Sequence, residues 1–170
     1  MELCLPTAEE PTNDVSSPDP ARRRVLVLGV GNVLLGDEGV GVHAIQRLKA
    51  CGLAAHADLL DGGTGGFHLL GCWRDYERLI LIDAAADGHP PGTVSVLHPQ
   101  YARDFPPSLS AHDIGLKDLI ESAALLGPLP PLDLVTISVG ELQPMSVALS
   151  PVVAAALPAV VRQVKALLTA

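Results

Sequence analysis

Short apolar runs alternate with helical patterns along most of the chain, and this alternation restricts the fold more than any other feature. The first run, residues 25–30, is aliphatic on both faces, as the buried strands of a parallel sheet usually are. Apolar residues then recur at helical spacing over residues 39–51. We predict the order β-α-β-α-β-β-α-β-α, which is typical of a three-layer α/β/α sandwich around a mostly parallel, five-stranded sheet.

Turn residues and apolar spacing place the remaining elements. We predict strands over residues 57–60, 79–82, 92–97 and 134–139, a short helix near 67–73, and helices over 113–126 and 151–168. The turn before residues 92–97 is too short for a helix, so that strand is predicted to run antiparallel at an edge. Ser150 and Pro151 form an N-cap and first-turn pair for the last helix, in which Pro158 should produce a kink.

The first 21 residues differ from the rest in composition. They contain four prolines and five acidic residues, with no Lys or Arg. Such a segment buries too little apolar surface to offset the entropy of ordering. We therefore predict a flexible, acidic, Pro-rich arm over residues 1–21 and a single α/β domain over residues 22–170.

Charge and cysteine content exclude several classes of protein. Eleven basic residues against 19 acidic ones give a net charge of -8, which disfavours a nucleic-acid partner. Three widely spaced cysteines form neither a disulfide framework nor a CxxC metal motif, and they fit a reducing compartment. The N-terminus lacks a basic segment followed by an apolar one, and no uninterrupted apolar run reaches about 18 residues. We expect a cytoplasmic protein without membrane insertion.

Three acidic residues follow the predicted strands at the edge of the sheet where ligands bind in open α/β folds. Asp61 and Asp83 end the second and third strands, and Glu38 lies in the loop after the first. Asp37, directly before a helix, is explained as its N-cap. Glu38 is a poor cap because its side chain is longer, so we expect it to point into the crevice.

An imidazole beside these carboxylates would change the preferred ion. Carboxylates alone favour Mg²⁺ or Ca²⁺, whereas an added histidine favours Zn²⁺, Ni²⁺ or similar ions. His112 lies directly before the predicted helix 113–126, whose N-terminus should open onto the same edge, and is the best ligand candidate. Its alternative role is to cap or decorate a loop. His68, beside the glycine loop at 62–66, is a candidate for contact with the metal ligands. The remaining histidines are expected at the surface: His43, His56, His89 and His98.

Other motifs are incomplete or absent. Gly29 and Gly31 begin a pattern like the dinucleotide fingerprint, but Leu34 occupies its third glycine position, so a nucleotide site is weakly supported. No P-loop, HExxH or GxSxG motif is present. Cys51 and Cys72 have no histidine beside them in sequence, which disfavours a thiol nucleophile.

Four blocks in fixed order make the chain similar to the [NiFe]-hydrogenase maturation endopeptidases over residues 25–168. The blocks are GVGNVLLGDEGVG at 29–41, DGGTGG at 61–66, LILIDA at 79–84 and SAHDIGL at 110–116. The resemblance implies a protease that removes the C-terminal extension of the hydrogenase large-subunit precursor after nickel insertion. It also implies a five-stranded sheet whose fourth strand is antiparallel.

The same resemblance assigns roles to four residues. Glu38, Asp83 and His112 would bind the metal, and Asp61 matches an acid implicated in activity. The nickel would be held by the substrate, and no organic cofactor is implied. Residues 1–21 have no counterpart in the family pattern, and residues 140–146 match it only loosely. The alternatives are a noncatalytic, metal-dependent checkpoint that binds the precursor, and a nucleotide-binding or hydrolytic α/β domain.

Overall fold

The structure is a computed structural model that describes residues 24–64, 73–99, 116–140 and 145–170. Its strands are β1 (Val25–Val30), β2 (Asp58–Gly63), β3 (Arg78–Ala85), β4 (Val94–Leu97) and β5 (Leu132–Ser138). Its α-helices are α1 (Val40–Ala50), α2 (Leu116–Leu126) and α3 (Pro151–Thr169). Single 3-10 turns occur at Gly36–Gly39, Leu53–Ala55 and Trp73–Asp75. The predicted arm, residues 1–21, lies outside the described residues.

The five strands form one sheet in the order β2-β1-β3-β5-β4. Every neighbouring pair is parallel except β4 with β5, which confirms the antiparallel edge strand. The parallel strands all begin at one edge of the sheet, called here the amino edge, and end at the opposite one, the carboxyl edge. The connections into α1 and α3 therefore start at the carboxyl edge.

Side chains alternate between two apolar cores, one on each face of the sheet. Val27 and Ile82 belong to the core shared with α1 and α3, while Leu28 and Leu81 face the core that contains Trp73 and α2 residues. Helices thus cover both faces, and the predicted three-layer α/β/α sandwich is confirmed.

Most predicted elements are confirmed, with shifts at their ends. Strands β2 and β3 continue to Gly63 and Ala85, so Asp61 and Asp83 lie inside these strands rather than at their ends. Buried Ala84 and Ala85 continue the apolar run, and no turn residue interrupts it before Asp87. The predicted helix near 67–73 and the start of the one at 113–126 lie largely outside the described residues.

Helix α3 begins as its sequence predicts. Ser150 is the N-cap, and its Oγ accepts from the N–H of Val153 at 3.4 Å. The helix runs through Pro158 without a break, and the kink predicted there stays a prediction. Among the described helices, α3 alone has the length and apolar composition to cross a membrane. Its buried residues, including Val160 and Val164, pack into the core beside α1, and 33% of the apolar stretch is buried in the fold.

An ion-pair cluster lies at the amino edge. Asp133, at the start of β5, is 6% exposed and accepts from Arg78 Nε at 2.7 Å, with Arg78 Nη2 also 2.7 Å from the same oxygen. Its other oxygen lies 2.6 Å from His98 Nδ1. Arg78 also donates to the carbonyl of Leu167 in the last turn of α3 at 2.6 Å. The cluster joins β3, β5 and α3, and both oxygens of Asp133 have partners.

Candidate active site

Backbone packing positions Glu38 above the carboxyl edge. The 3-10 turn Gly36–Gly39 follows β1 and leads directly into α1. A Cβ at Gly31, which has a φ of 144°, would overlap the carbonyl of Glu38. A Cβ at Gly41 would overlap the carbonyls of Val30 and Ile82. Glycine at both positions lets the turn and the first turn of α1 rest on the ends of β1 and β3.

Asp83 is completely buried at this edge. Its Oδ1 accepts from the N–H of Ala84 at 2.8 Å, while its buried Oδ2 has no hydrogen-bond partner in the described part of the chain. Burial raises the pKa of Asp83 well above its usual value, the Ala84 hydrogen bond lowers it, and the nearby Glu38 carboxylate raises it further. A neutral carboxyl group is therefore favoured at this position unless a cation is present.

Glu38 is the second member of a buried acid pair with Asp83. It is only 1% exposed, so it lies in the interior rather than in an open crevice as its sequence context predicted. Its charge acts on Asp83 strongly enough to raise the pKa of that residue. Two buried acids in electrostatic contact are costly as anions, and a shared proton or a divalent cation relieves this cost. Glu38 and Asp83 thus interact electrostatically, as their predicted positions at one edge imply, and their role as metal ligands stays a prediction.

Asp61 lies on the outer strand β2, beside Gly29 of β1 in the parallel register. Its side chain is exposed, and Oδ1 accepts from the N–H of Gly63 at 2.9 Å. No described contact joins Asp61 to Glu38 or Asp83. Its position leaves a carboxylate accessible to solvent near the carboxyl edge, and its role in activity stays a prediction.

The third predicted ligand, His112, lies outside the described residues, as does His68. Within the described ranges, no three His, Cys, Asp or Glu residues form a group that could hold a metal ion. The donor chemistry still suits a cation, because the buried Asp83 Oδ2 without a hydrogen-bond partner is a candidate oxygen ligand beside a second acid. Glu38 and Asp83 would contribute two of the ligands that the resemblance implies.

Asp37 does not cap α1, contrary to the prediction. No side chain caps the N-terminus of either α1 or the preceding 3-10 turn. Asp37 is 3% exposed, and its Oδ1 accepts from the backbone N–H of Ser150 at 2.6 Å, which ties the turn to the start of α3. The two residues are 113 positions apart, so no local sequence signal could have indicated this contact.

A further acidic residue at the carboxyl edge, Asp87, was missed by sequence reasoning. Asp87 Oδ2 accepts from Ser138 Oγ at 3.1 Å and lies 3.0 Å from His89 Nδ1. Partial burial raises the pKa of Asp87, but hydrogen bonds from the His89 side chain and backbone and from Ser138 outweigh it, so the pKa is lowered. Asp87 and Asp83 are thus shifted in opposite directions although they are four residues apart.

The other histidines mostly lie where they were predicted. His56, His89 and His98 are exposed. The prediction for His43 was wrong: this residue is half-buried on α1, and its Nε2 is buried without a hydrogen-bond partner in the described part. Its helical context in the sequence gave no sign of this burial.

A cavity of about 580 Å³ lies at the opposite side of the molecule. It opens at the amino edge, between Val25, Arg78 and Leu168. Neither member of the buried acid pair lines this cavity.

The fold and the acid pair define a class: an α/β/α domain with a candidate cation or proton site at the carboxyl edge of its sheet. A family model described as hydrogenase maturation protease matches residues 42–167. The chain belongs to this family.

Individual relatives agree with this assignment. The chain is 36% identical over 149 residues to the hydrogenase 2 maturation protease of Escherichia coli, covering 85% of this chain and 90% of that protein. It is 42% identical over 110 residues to the hydrogenase expression/formation protein HupD of Rhodobacter capsulatus, covering 63% of this chain and 52% of HupD. The chain thus spans about half the length of that relative.

Solved structures resemble it throughout the fold. The hydrogenase maturating endopeptidase HybD of E. coli is 34% identical with a TM-score of 0.74, and the match covers 86% of this chain and 92% of that one. The [NiFe] hydrogenase maturation protease HybD of Thermococcus kodakarensis is 27% identical with a TM-score of 0.71, covering 85% and 98%. Both solved structures therefore share the fold of this chain.

Proposed function

We propose that this protein is a cytoplasmic endopeptidase that removes the C-terminal extension of a [NiFe]-hydrogenase large-subunit precursor after nickel insertion. Family membership supports the reaction type and a hydrogenase precursor as the substrate. The single observation that carries the proposal for the site is the buried acid pair. Asp83 has an oxygen without a hydrogen-bond partner in the described part of the chain, and it lies in the field of Glu38.

Recognition would depend on nickel that the precursor already holds. Glu38 and Asp83 would provide oxygen ligands and His112 an imidazole, a combination that suits nickel better than Mg²⁺ or Ca²⁺. A precursor without nickel would leave the two acids without a cation and would bind weakly. The metal thus belongs to the substrate, and the protein's own residues detect it.

Hydrolysis requires a water molecule, a proton acceptor and a proton donor. We assign the first proton transfer to Asp61, because its carboxylate is exposed near the carboxyl edge. Water adds to the scissile carbonyl carbon as Asp61 takes its proton. The C–N bond then breaks, and the proton passes to the leaving amine. The acid pair would orient the scissile bond through the substrate's nickel.

Intact mass spectrometry of the precursor tests this proposal. Nickel-loaded and nickel-free precursors are incubated with the unsubstituted protein and with Glu38→Gln or His112→Ala. Glu77→Gln is the matched control, because Glu77 is an exposed glutamate directly before the start of β3. We expect loss of a C-terminal peptide only from the nickel-loaded precursor, and only with the unsubstituted protein or the control.

Two results would contradict the proposal. Release of the peptide from both precursors would exclude nickel as the recognition element. A stable complex with nickel-loaded precursor of unaltered mass would favour the noncatalytic checkpoint.

A further inference from the structure

Exposed apolar side chains are concentrated at the carboxyl edge. Met145 is 94% exposed, Val147 64% and Leu34 58%. These three residues are called here the apolar rim. Leu125 on α2, which is 89% exposed, lies away from them. Burying such side chains against a partner is favourable, so a cluster of them indicates an interaction surface.

Backbone contacts hold the two segments of the apolar rim together. Leu35 and Ser146 form an isolated parallel β-bridge, and the N–H of Gly36 donates to the carbonyl of Ser146 at 2.7 Å. Leu34 precedes the first of these bridge residues, while Met145 and Val147 flank the second. The three side chains therefore come from neighbouring backbone positions, not from unrelated loops.

The rim is also tied to the buried acid pair. Leu34 lies four residues before Glu38, and Val147 three residues before Ser150. Asp37, the neighbour of Glu38, accepts from the Ser150 N–H at 2.6 Å. A ligand bound on the rim would consequently lie at a fixed position relative to Glu38 and Asp83.

Met145 has an unfavourable backbone conformation without a compensating contact for its side chain. Its φ is 63°, in the left-handed region that is unfavourable for residues other than glycine. Its side chain nevertheless extends almost fully into solvent. Within the described chain, no contact of the side chain offsets the unfavourable backbone conformation. The conformation places a flexible, apolar side chain beside the candidate active site.

The chemistry of the rim restricts its occupant. Residues 31–36 and 145–154 contain no charged side chain, in a chain whose net charge is -8. We propose that the apolar rim binds an apolar, uncharged segment of the precursor close to its scissile bond. The occupant is chosen because the rim is joined to the acid pair by backbone contacts, so a precursor bound at that pair lies next to the rim. This inference rests on the proposed function and adds a specificity surface to it.

Binding and cleavage are measured together with rim variants of the full chain. The double variant Met145→Gln/Val147→Asn removes apolar surface while approximately keeping size. Met145→Leu keeps the apolar character, and Leu125→Gln is the control at an exposed apolar position outside the rim. Calorimetric titration of nickel-loaded precursor gives Kd, and mass spectrometry of peptide release gives KM and kcat. Thermal unfolding of each variant confirms that it is folded.

We expect the double variant to raise Kd and KM about 10-fold with kcat little changed, which is a typical effect for central interface residues. Met145→Leu and Leu125→Gln should stay within about twofold of the unsubstituted protein. If the double variant leaves Kd and KM unchanged while peptide is released normally, the rim inference is wrong and the proposed function stands. If no peptide is released but Kd still rises 10-fold, the rim inference stands and the proposed endopeptidase is wrong.

Self-association is the competing occupant. Sedimentation equilibrium of the protein without precursor tests it. A monomer for both the unsubstituted protein and the double variant agrees with the proposal. A dimer that the double variant abolishes, with Kd for the precursor unaffected, would assign the rim to a second copy of the chain and overturn the proposal.

Discussion

The two edges of the sheet each bury an aspartate, but in opposite surroundings. At the amino edge, Asp133 meets the guanidinium of Arg78 and the imidazole of His98, so both of its oxygens have partners. At the carboxyl edge, Asp83 has one backbone N–H, and the neighbouring Glu38 is another acid. The first arrangement neutralises the buried charge, whereas the second leaves it to be neutralised by a proton or a ligand.

This difference separates a structural acid from a candidate functional one. Asp133 joins β5 to β3, and through Arg78 to the end of α3, so its charge contributes to holding the fold together. The Asp83 carboxyl group raises the free energy of the folded state when it is ionised. A protein retains such a cost where function needs it. The predictions below are arranged from the largest expected effect to the smallest.

Asp83→Asn should abolish activity without harming the fold. We expect peptide release from nickel-loaded precursor to slow by about 100-fold or more, a typical cost of removing one charged group that acts on the reacting centre. Quantitative mass spectrometry of the released peptide measures the rate. Asp133→Asn, tested at a temperature where it is folded, is the matched control and should retain the rate. Equal losses of the peptide-release rate in the two variants would show that the two edges of the sheet do not differ in function.

Arg78→Met should destabilise the protein by about 2–3 kcal/mol, because Asp133 then loses its main counter-charge while buried. Urea unfolding followed by circular dichroism measures this. The double variant Arg78→Met/Asp133→Asn should recover part of the loss, since no buried charge remains unpaired. Additive losses in this cycle would mean that the two side chains are not coupled.

Asp37→Ala should cost about 1–2 kcal/mol, because the Ser150 N–H loses a charge-assisted hydrogen bond that links the Glu38 turn to α3. Asp37→Asn keeps an acceptor oxygen and should lose less. Thermal unfolding of both variants gives the comparison. An alanine variant as stable as the unsubstituted protein would show that the contact does not hold the turn.

The smallest effects are opposite pH trends for Asp83 and Asp87. The pKa of Asp83 is raised, so the folded state keeps a proton that the unfolded state loses, and its contribution to stability falls as pH rises above 3.8. Asp83→Asn should therefore gain stability relative to the unsubstituted protein from pH 4 to pH 7. The pKa of Asp87 is lowered, so its contribution is present above 3.8 and is lost as pH falls below that value. Asp87→Asn should lose stability at pH 7 and little at pH 3.

Urea midpoints across this pH range measure both trends. His89→Gln serves as a control for Asp87, because it removes the imidazole partner while keeping the carboxylate. Parallel trends for the two aspartate variants would contradict the opposite assignments of their charged states.

Much of the fold could be predicted because it depends on local patterns. The apolar run of β1, the short turn before β4 and the Ser150 cap each occupy a few consecutive residues. Glu38 and Asp83 could be paired because parallel strands bring their carboxyl ends to one edge. The alternation of strands and helices thus predicted the topology, and the position at the carboxyl edge predicted two of the site residues.

Contacts between distant residues could not be predicted in this way. Asp133 meets Arg78 and His98 across 55 and 35 positions, and Asp37 meets Ser150 across 113. Local capping rules assigned Asp37 to the wrong helix because they consider only the next turn. The depth of Asp83 within β3 was missed because alanines continue the strand as readily as they would begin a loop.

Nickel X-ray absorption tests most directly whether the carboxyl edge binds the precursor's metal. Spectra are recorded for nickel-loaded precursor alone, then for its complexes with the unsubstituted protein and with Asp83→Asn, each frozen before cleavage. We expect oxygen or nitrogen scatterers to be added to the ligands that nickel has in the precursor alone in the first complex, and to decrease in the second. A nickel environment identical in all three samples, with complex formation shown by sedimentation, would contradict the assignment of Glu38 and Asp83 as its ligands.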